Sequence, residues 1–237
     1  MEKNILSERE LRRYQAQIDM NGIGLEGQEK IKNARVLVIG AGGLGTPAIK
    51  SLIAAGVGYL GICDDALLEE EDLGRQSLYN DIDLGKQKAI ATKQHLQNLN
   101  QFTQIKIHNI RLNNENALNL LLPYNMVVDA SNDPSTHGIL FTVTETANKP
   151  LVWANIANQV AIAGVKMPGN DTPVKEKSLH SFLKQSRADT QTPIVLVYSV
   201  CGNILAGEAL KVVLQKASPL LTKNLFINLS EYSFSLK

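Results

Sequence analysis

The chain has 237 residues, a length for one large domain or at most two. Its 44% apolar and 20% charged residues can bury a sizeable core and exclude a disordered or low-complexity protein. Twenty-four Lys and Arg against 23 Asp and Glu leave a formal net charge of +1, so no bulk field draws nucleic acid or membrane, and 5% aromatics offer few platforms for stacking bases.

In chain order, Ser7-Glu-Arg-Glu10 has capping-box spacing and opens a helix through Asp19. A second helical stretch runs from Gly27 to Asn33, and Arg35–Ile39 is a short β-branched run of buried-strand type. Gly40–Gly45 interrupts it, Thr46–Ala55 has helical character, and Val57–Cys63 is the next strand. Helices follow at 86–99, 113–122 and 135–147, alternating with strands at 105–110, 125–129, 150–154 and 159–165. Met167–Thr192 breaks the pattern, a length that points to a lid or crossover segment. Ser199–Gln215 is a last helix, and 225–229 with 232–236 form a closing hairpin.

The alternation predicts a doubly wound α/β fold, a mostly parallel sheet with helices on both faces. One domain, 1–237, is expected: N-terminal helices (1–34), a Rossmann-like core (35–166), a crossover loop (167–193), then a helix and hairpin (194–237). The polar start lacks a secretory signal, and no apolar run approaches the ~18 residues of a membrane span, the longest being Ile194–Val200. A soluble, cytoplasmic protein is expected.

Gly40-Ala41-Gly42-Gly43-Leu44-Gly45 fits GxGxxG between a strand and a helix. Such a loop supplies a tight turn, close backbone approach to phosphate, and amides facing an anion. Asp64, 19 residues beyond Gly45 at a strand end, suits ribose hydroxyls. A nicotinamide-dependent oxidoreductase explains these features equally well. It does not explain Arg75 and Lys88, cations of the kind needed to neutralise a triphosphate attacked at its α-phosphorus.

At these residues the sequence resembles the ThiF/MoeB/HesA family, bacterial relatives of ubiquitin-activating enzymes. The resemblance covers Arg13–Ile18, Gly27–Lys30, Val36–Pro47, Ala54–Gly58, Arg75-Gln76, Lys86–Ala89 and Gly207–Lys211, in family order along nearly the whole chain. It implies ATP- and magnesium-dependent adenylation of the C-terminal glycine of a small ubiquitin-like sulfur carrier. Carried over by position, Gly40, Gly42, Gly43 and Gly45 face the nucleotide, Asp64 holds the ribose, and Arg75 and Lys88 grip the triphosphate as the catalytic cations. The resemblance also implies a homodimer.

Four positions depart from the family pattern. Ala16 replaces an arginine that reaches the neighbouring subunit's phosphates, and Asp64-Asp65-Ala66 replaces Asp-x-Asp. Glu71-Asp72 replaces Ser-Asn, placing acids near phosphate, and Asn132 stands where a magnesium-binding aspartate is expected. Asn132 and the adjacent Asp133 are the magnesium candidates, though an amide is the poorer ligand for a hard dication. With only Cys63 and Cys201, a zinc site is excluded, and both thiols read as structural. His95, His108, His137 and His180 have no ligand spacing. The departures leave an alternative to the adenylyltransferase: a disarmed partner or scaffold that binds a carrier, or pairs as a heterodimer with an intact paralogue.

Overall fold

A computed structural model describes residues 5–157, 159–169 and 194–237. Most of the expected crossover loop, with His180, lies outside the described residues.

The Ser7 capping box forms as the spacing predicts. Ser7 Oγ accepts from Glu10 N–H at 3.3 Å, and the Glu10 carboxylate accepts from Ser7 N–H at 2.9 Å. Helix α1 (Glu8–Ile18) follows, then α2 (Gly24–Asn33), three residues earlier than expected. Lys32 of α2 pairs with the buried Glu10 at 2.6 Å, locking the two helices together.

Strand β1 (Arg35–Ile39) is buried on both faces. Val36 and Val38 join one apolar cluster, Leu37 and Ile39 the other, so the strand reads as a continuous apolar run rather than an alternation. Parallel neighbours β2 (Tyr59–Cys63) and β3 (Gln104–His108) lie on one side, β4 (Met126–Asp129) and β5 (Leu151–Ala157) on the other. From β5 the chain turns back into β6 (Val160–Lys166), with β7 (Leu225–Asn228) and β8 (Ser233–Leu236) continuing antiparallel. The sheet order is β3-β2-β1-β4-β5-β6-β7-β8, the expected doubly wound, mostly parallel sheet ending in a hairpin.

Between the strands run α3 (Gly45–Ala55), α4 (Glu70–Leu73), α5 (Lys88–Leu96), α6 (Ala117–Leu121) and α7 (Pro134–Thr146). The four-residue α4 lies within the acidic stretch after β2, where the sequence predicts no helix. Helix α8 (Val195–Val213) starts four residues before the expected Ser199, so the run Ile194–Val200 is helical beyond its extended N-cap Ile194. By length and composition α8 could cross a membrane, contrary to the expectation that no segment reaches that size. Counting only unbroken apolar residues misses it, because Ser199, Gly202 and Asn203 interrupt the run. Here α8 packs against α3, β5 and β6, and burial within a protein core accounts equally well for its apolar character.

Candidate active site

The strand order reverses between β1 and β4, whose following loops diverge to opposite sides of the sheet. A cleft at the carboxyl ends of strands flanking such a switch point is the general ligand position of doubly wound sheets. Here that cleft has a volume of about 510 Å³ and takes its walls from the loops after β1, β2, β3 and β4 and from α4, α5 and α8.

The glycine loop forms its inner wall. Gly40 has φ +98°, and a Cβ there would lie 2.6 Å from the Ala130 carbonyl oxygen, so only glycine lets the loops after β1 and β4 touch. A Cβ at Gly45 would collide with the Gly40 carbonyl. At Gly43 it would meet the Tyr198 ring, 2.7 Å from Cγ and 2.8 Å from Cδ1. Tyr198 is carried on α8, whose Gly202 one turn later lets the helix press against Leu44 and Pro47. Nothing in the apolar run around Tyr198 distinguishes it in the sequence, so reasoning from the sequence misses it as a site residue.

Asp64 stands at the tip of β2. One carboxylate oxygen accepts from Ala41 N–H at 2.7 Å, the other from Ala66 N–H at 2.8 Å. Burial raises its pKa despite these bonds and the nearby Lys88. The Ala41 end of the loop has a second tether: the Tyr79 hydroxyl reaches the Ala41 carbonyl at 2.6 Å and Thr92 Oγ1 at 2.7 Å. Since Thr92 lies on α5, this chain of bonds links the glycine loop to the helix that begins with Lys88.

Arg75 and Lys88, distant in sequence, meet on one carboxylate. Asp72 accepts from Arg75 Nη2 at 3.0 Å and pairs with Lys88 Nζ at 2.8 Å. It also accepts from Glu69 N–H at 3.1 Å and from the Gln76 amide. Burial would raise the Asp72 pKa, but these donors, Lys88 foremost, hold it below the ordinary carboxylate range. Glu71, the other acid of the stretch, is exposed and touches Arg75 at 3.0 Å. Asp72 is thus the internal counter-ion of both predicted cations rather than an acid facing phosphate alone.

The predicted magnesium pair also lines the cleft. Asn132 has φ +54°, and its Oδ1 accepts from Ile156 N–H at 2.6 Å, so the amide braces β5. Asp133 caps α7, accepting from Ser135 N–H at 3.3 Å and from Thr136 N–H and Oγ1 at 3.0 and 2.8 Å. Among the described residues no group of three or more His, Cys, Asp or Glu side chains could hold a metal ion. Asn132 is engaged by the backbone and Asp133 by a helix, which leaves spare lone pairs on one amide and one carboxylate, a set that could hold magnesium only together with nucleotide phosphates.

Cys63 and Cys201 are buried, and burial pushes both thiols up to about 12. His95 pairs with Asp83 at 2.6 Å, and His108 meets the Tyr124 hydroxyl at 2.6 Å. His137 is buried at 2.8 Å from Asp129, with its Nε2 unpartnered among the described residues.

The sequence profile described as the ThiF family matches residues 14–236. The chain belongs to the ThiF family. It is 37% identical over 233 residues to the sulfur carrier protein adenylyltransferase of Thermus thermophilus, covering 95% of this chain and 86% of that protein. It is also 37% identical over 151 residues to the probable adenylyltransferase/sulfurtransferase MoeZ of Mycobacterium tuberculosis, covering 64% of this chain but only 38% of MoeZ. Two solved structures share the fold. PaaA superposes with a TM-score of 0.84 at 19% identity, over 100% of this ThiF-family chain and 85% of PaaA. Escherichia coli MccB with ATP gives 0.78 at 21%, over 98% and 79%.

Proposed function

We propose that this ThiF-family chain is an ATP-dependent adenylyltransferase that activates the C-terminal carboxylate of a small ubiquitin-like sulfur-carrier protein or peptide. The carrying observation is the convergence of Gly40, Gly42, Gly43, Asp64, Arg75 and Lys88 on one cleft at the switch point of the sheet, with Gly45 behind it, packed on the Gly40 carbonyl. The named activity of the Thermus thermophilus relative supports the same reading.

In this reading the Gly42–Gly43 backbone lies against the phosphates, and the spare lone pairs of Asp64 accept from ribose hydroxyls. A carrier carboxylate oxygen forms a bond to the α-phosphorus as the bond to the bridging oxygen breaks, and the electron pair leaves on pyrophosphate. The nucleophile is already ionised at neutral pH, so no general base is needed. The chain contributes alignment and charge: Arg75 and Lys88 stabilise the negative charge that develops on the leaving phosphates. Magnesium belongs to this reading as the counter-ion of the ATP phosphates. The same reading takes the protein as cytoplasmic and as a dimer, either of itself or with an intact paralogue.

ATP–pyrophosphate exchange in the presence of a carrier tests the proposal. Exchange is expected in the wild type, with losses of about 10²-fold or more in Arg75→Ala and Lys88→Ala. Exchange that proceeds unchanged in both variants refutes the site.

A further inference from the structure

We propose that Asp72 sets how tightly the cleft holds its phosphates, aiming Arg75 and Lys88 while cancelling part of their charge, so that pyrophosphate is released readily. This rests on the adenylyltransferase reading and deepens it.

Asp72 is 2% exposed and bonded by protein donors at both carboxylate oxygens. A carboxylate held this way stays in place when a nucleotide arrives and does not swing into solvent. Arg75 and Lys88 remain accessible at 27% and 12% exposure, and both keep N–H donors beyond those given to Asp72. Their two positive charges therefore come with a fixed negative charge about 3 Å from each. Asp64, Asp65 and Asp133 line the same cleft, while Arg111 is its one further cation among the described residues. Four carboxylates thus face three cations, so the described lining carries no excess positive charge and the hold on phosphates rests on Arg75 and Lys88 locally. A leaving group as highly charged as pyrophosphate gains most from that balance.

Asp72→Asn removes the charge and keeps the shape. The carboxamide oxygen still accepts from Glu69 N–H and Lys88 Nζ. The carboxamide N–H reaches the buried Gln76 Oε1, which has no partner among the described residues, once that amide turns. The bond from Arg75 is lost, and Arg75 stays paired with Glu71. Calorimetric titration of the full chain with ATP, pyrophosphate and AMP in magnesium buffer tests the proposal. The expected result for the variant is ATP and pyrophosphate binding about tenfold tighter, with AMP affinity unchanged because AMP lacks the β- and γ-phosphates. Equal shifts for all three ligands, or weaker ATP binding, mean that Asp72 serves the fold alone and overturn the inference. If Asp72→Asn fails to fold, the wild type carries the test through salt. A part-neutralised cradle loses no more than about fivefold in ATP affinity between about 0.05 and 0.5 M NaCl, and a larger loss overturns the inference. A folded wild type that binds neither ATP nor AMP refutes the nucleotide site itself, which is the failure of the underlying reading.

Discussion

Gly43 and Tyr198 form the contact on which the shape of the phosphate-facing wall depends. In Gly43→Ala the new methyl group would stand 2.7 Å from Tyr198 Cγ, 2.8 Å from Cδ1 and 3.1 Å from Cβ, well inside van der Waals contact. The ring cannot easily retreat, because Tyr198 is only 8% exposed and α8 is pinned against Leu44 and Pro47 at Gly202. Overpacking of this kind costs about 1–3 kcal/mol. For a domain of this size each kcal/mol moves Tm by about 2–4 °C, so a drop of about 4–8 °C is expected for a clash of about 2 kcal/mol. The fluorescence of Trp153, the single tryptophan and fully buried, reports unfolding. The decisive assay is a double-mutant cycle. In a Tyr198→Ala background the two closest ring atoms are gone and only the 3.1 Å approach to Cβ remains. The cost of Gly43→Ala then falls below about 1 kcal/mol. A cost equal in both backgrounds to within about 0.5 kcal/mol would show that the two residues do not meet as described and refute the steric argument.

Tyr79→Phe deprives the Ala41 carbonyl of its side-chain donor, while the Thr92 hydroxyl can turn its proton to the Lys88 carbonyl at 2.8 Å. A loss of about 1–2 kcal/mol is expected as a lower urea midpoint with unchanged slope, and an unmoved midpoint contradicts the tether. With both thiols pushed up to about 12, Cys63 and Cys201 resist a thiol-disulfide reagent at about pH 8 in the folded protein and react fully in guanidinium. Rapid labelling of the native chain would show that one of them is accessible. Burial holds the His108 pKa below its ordinary 6.5, so the unfolded chain takes up more protons and stability declines as pH falls from 6.5 through the folded-state value. A His108→Gln variant should lose less Tm than wild type between about pH 7.5 and 5.5, and parallel losses would remove His108 from that dependence.

Much of this protein is legible in one dimension. Val36–Ile39 reads as a buried parallel strand because both faces of the sheet are covered, and Ser7 with Glu10 marks a helix start because the cap bonds span only three residues. Gly40–Gly45, Asp64, Arg75 and Lys88 are visible as local punctuation and as family motifs in order. Where a signal depends on neighbours far along the chain, it fails. The apolar stretch at 194–200 looks the same whether it is strand or helix, and only packing against α3 and the sheet makes it the first turns of α8. Tyr198 gains its place from a contact with Gly43, far away along the chain, so no spacing announces it. Asp72 presents the sharpest contrast. The sequence shows an acid close to a phosphate site. Folding buries that acid, brings Lys88 to within 2.8 Å of it and Arg75 to 3.0 Å, and makes it their counter-ion. Local chemistry and periodicity determined which elements form and where the glycine loop lies. Asp72 and Arg75 are three residues apart and meet by local spacing. Tertiary packing decided that Lys88 would join them, because that pairing depends on a distance that chain order does not contain.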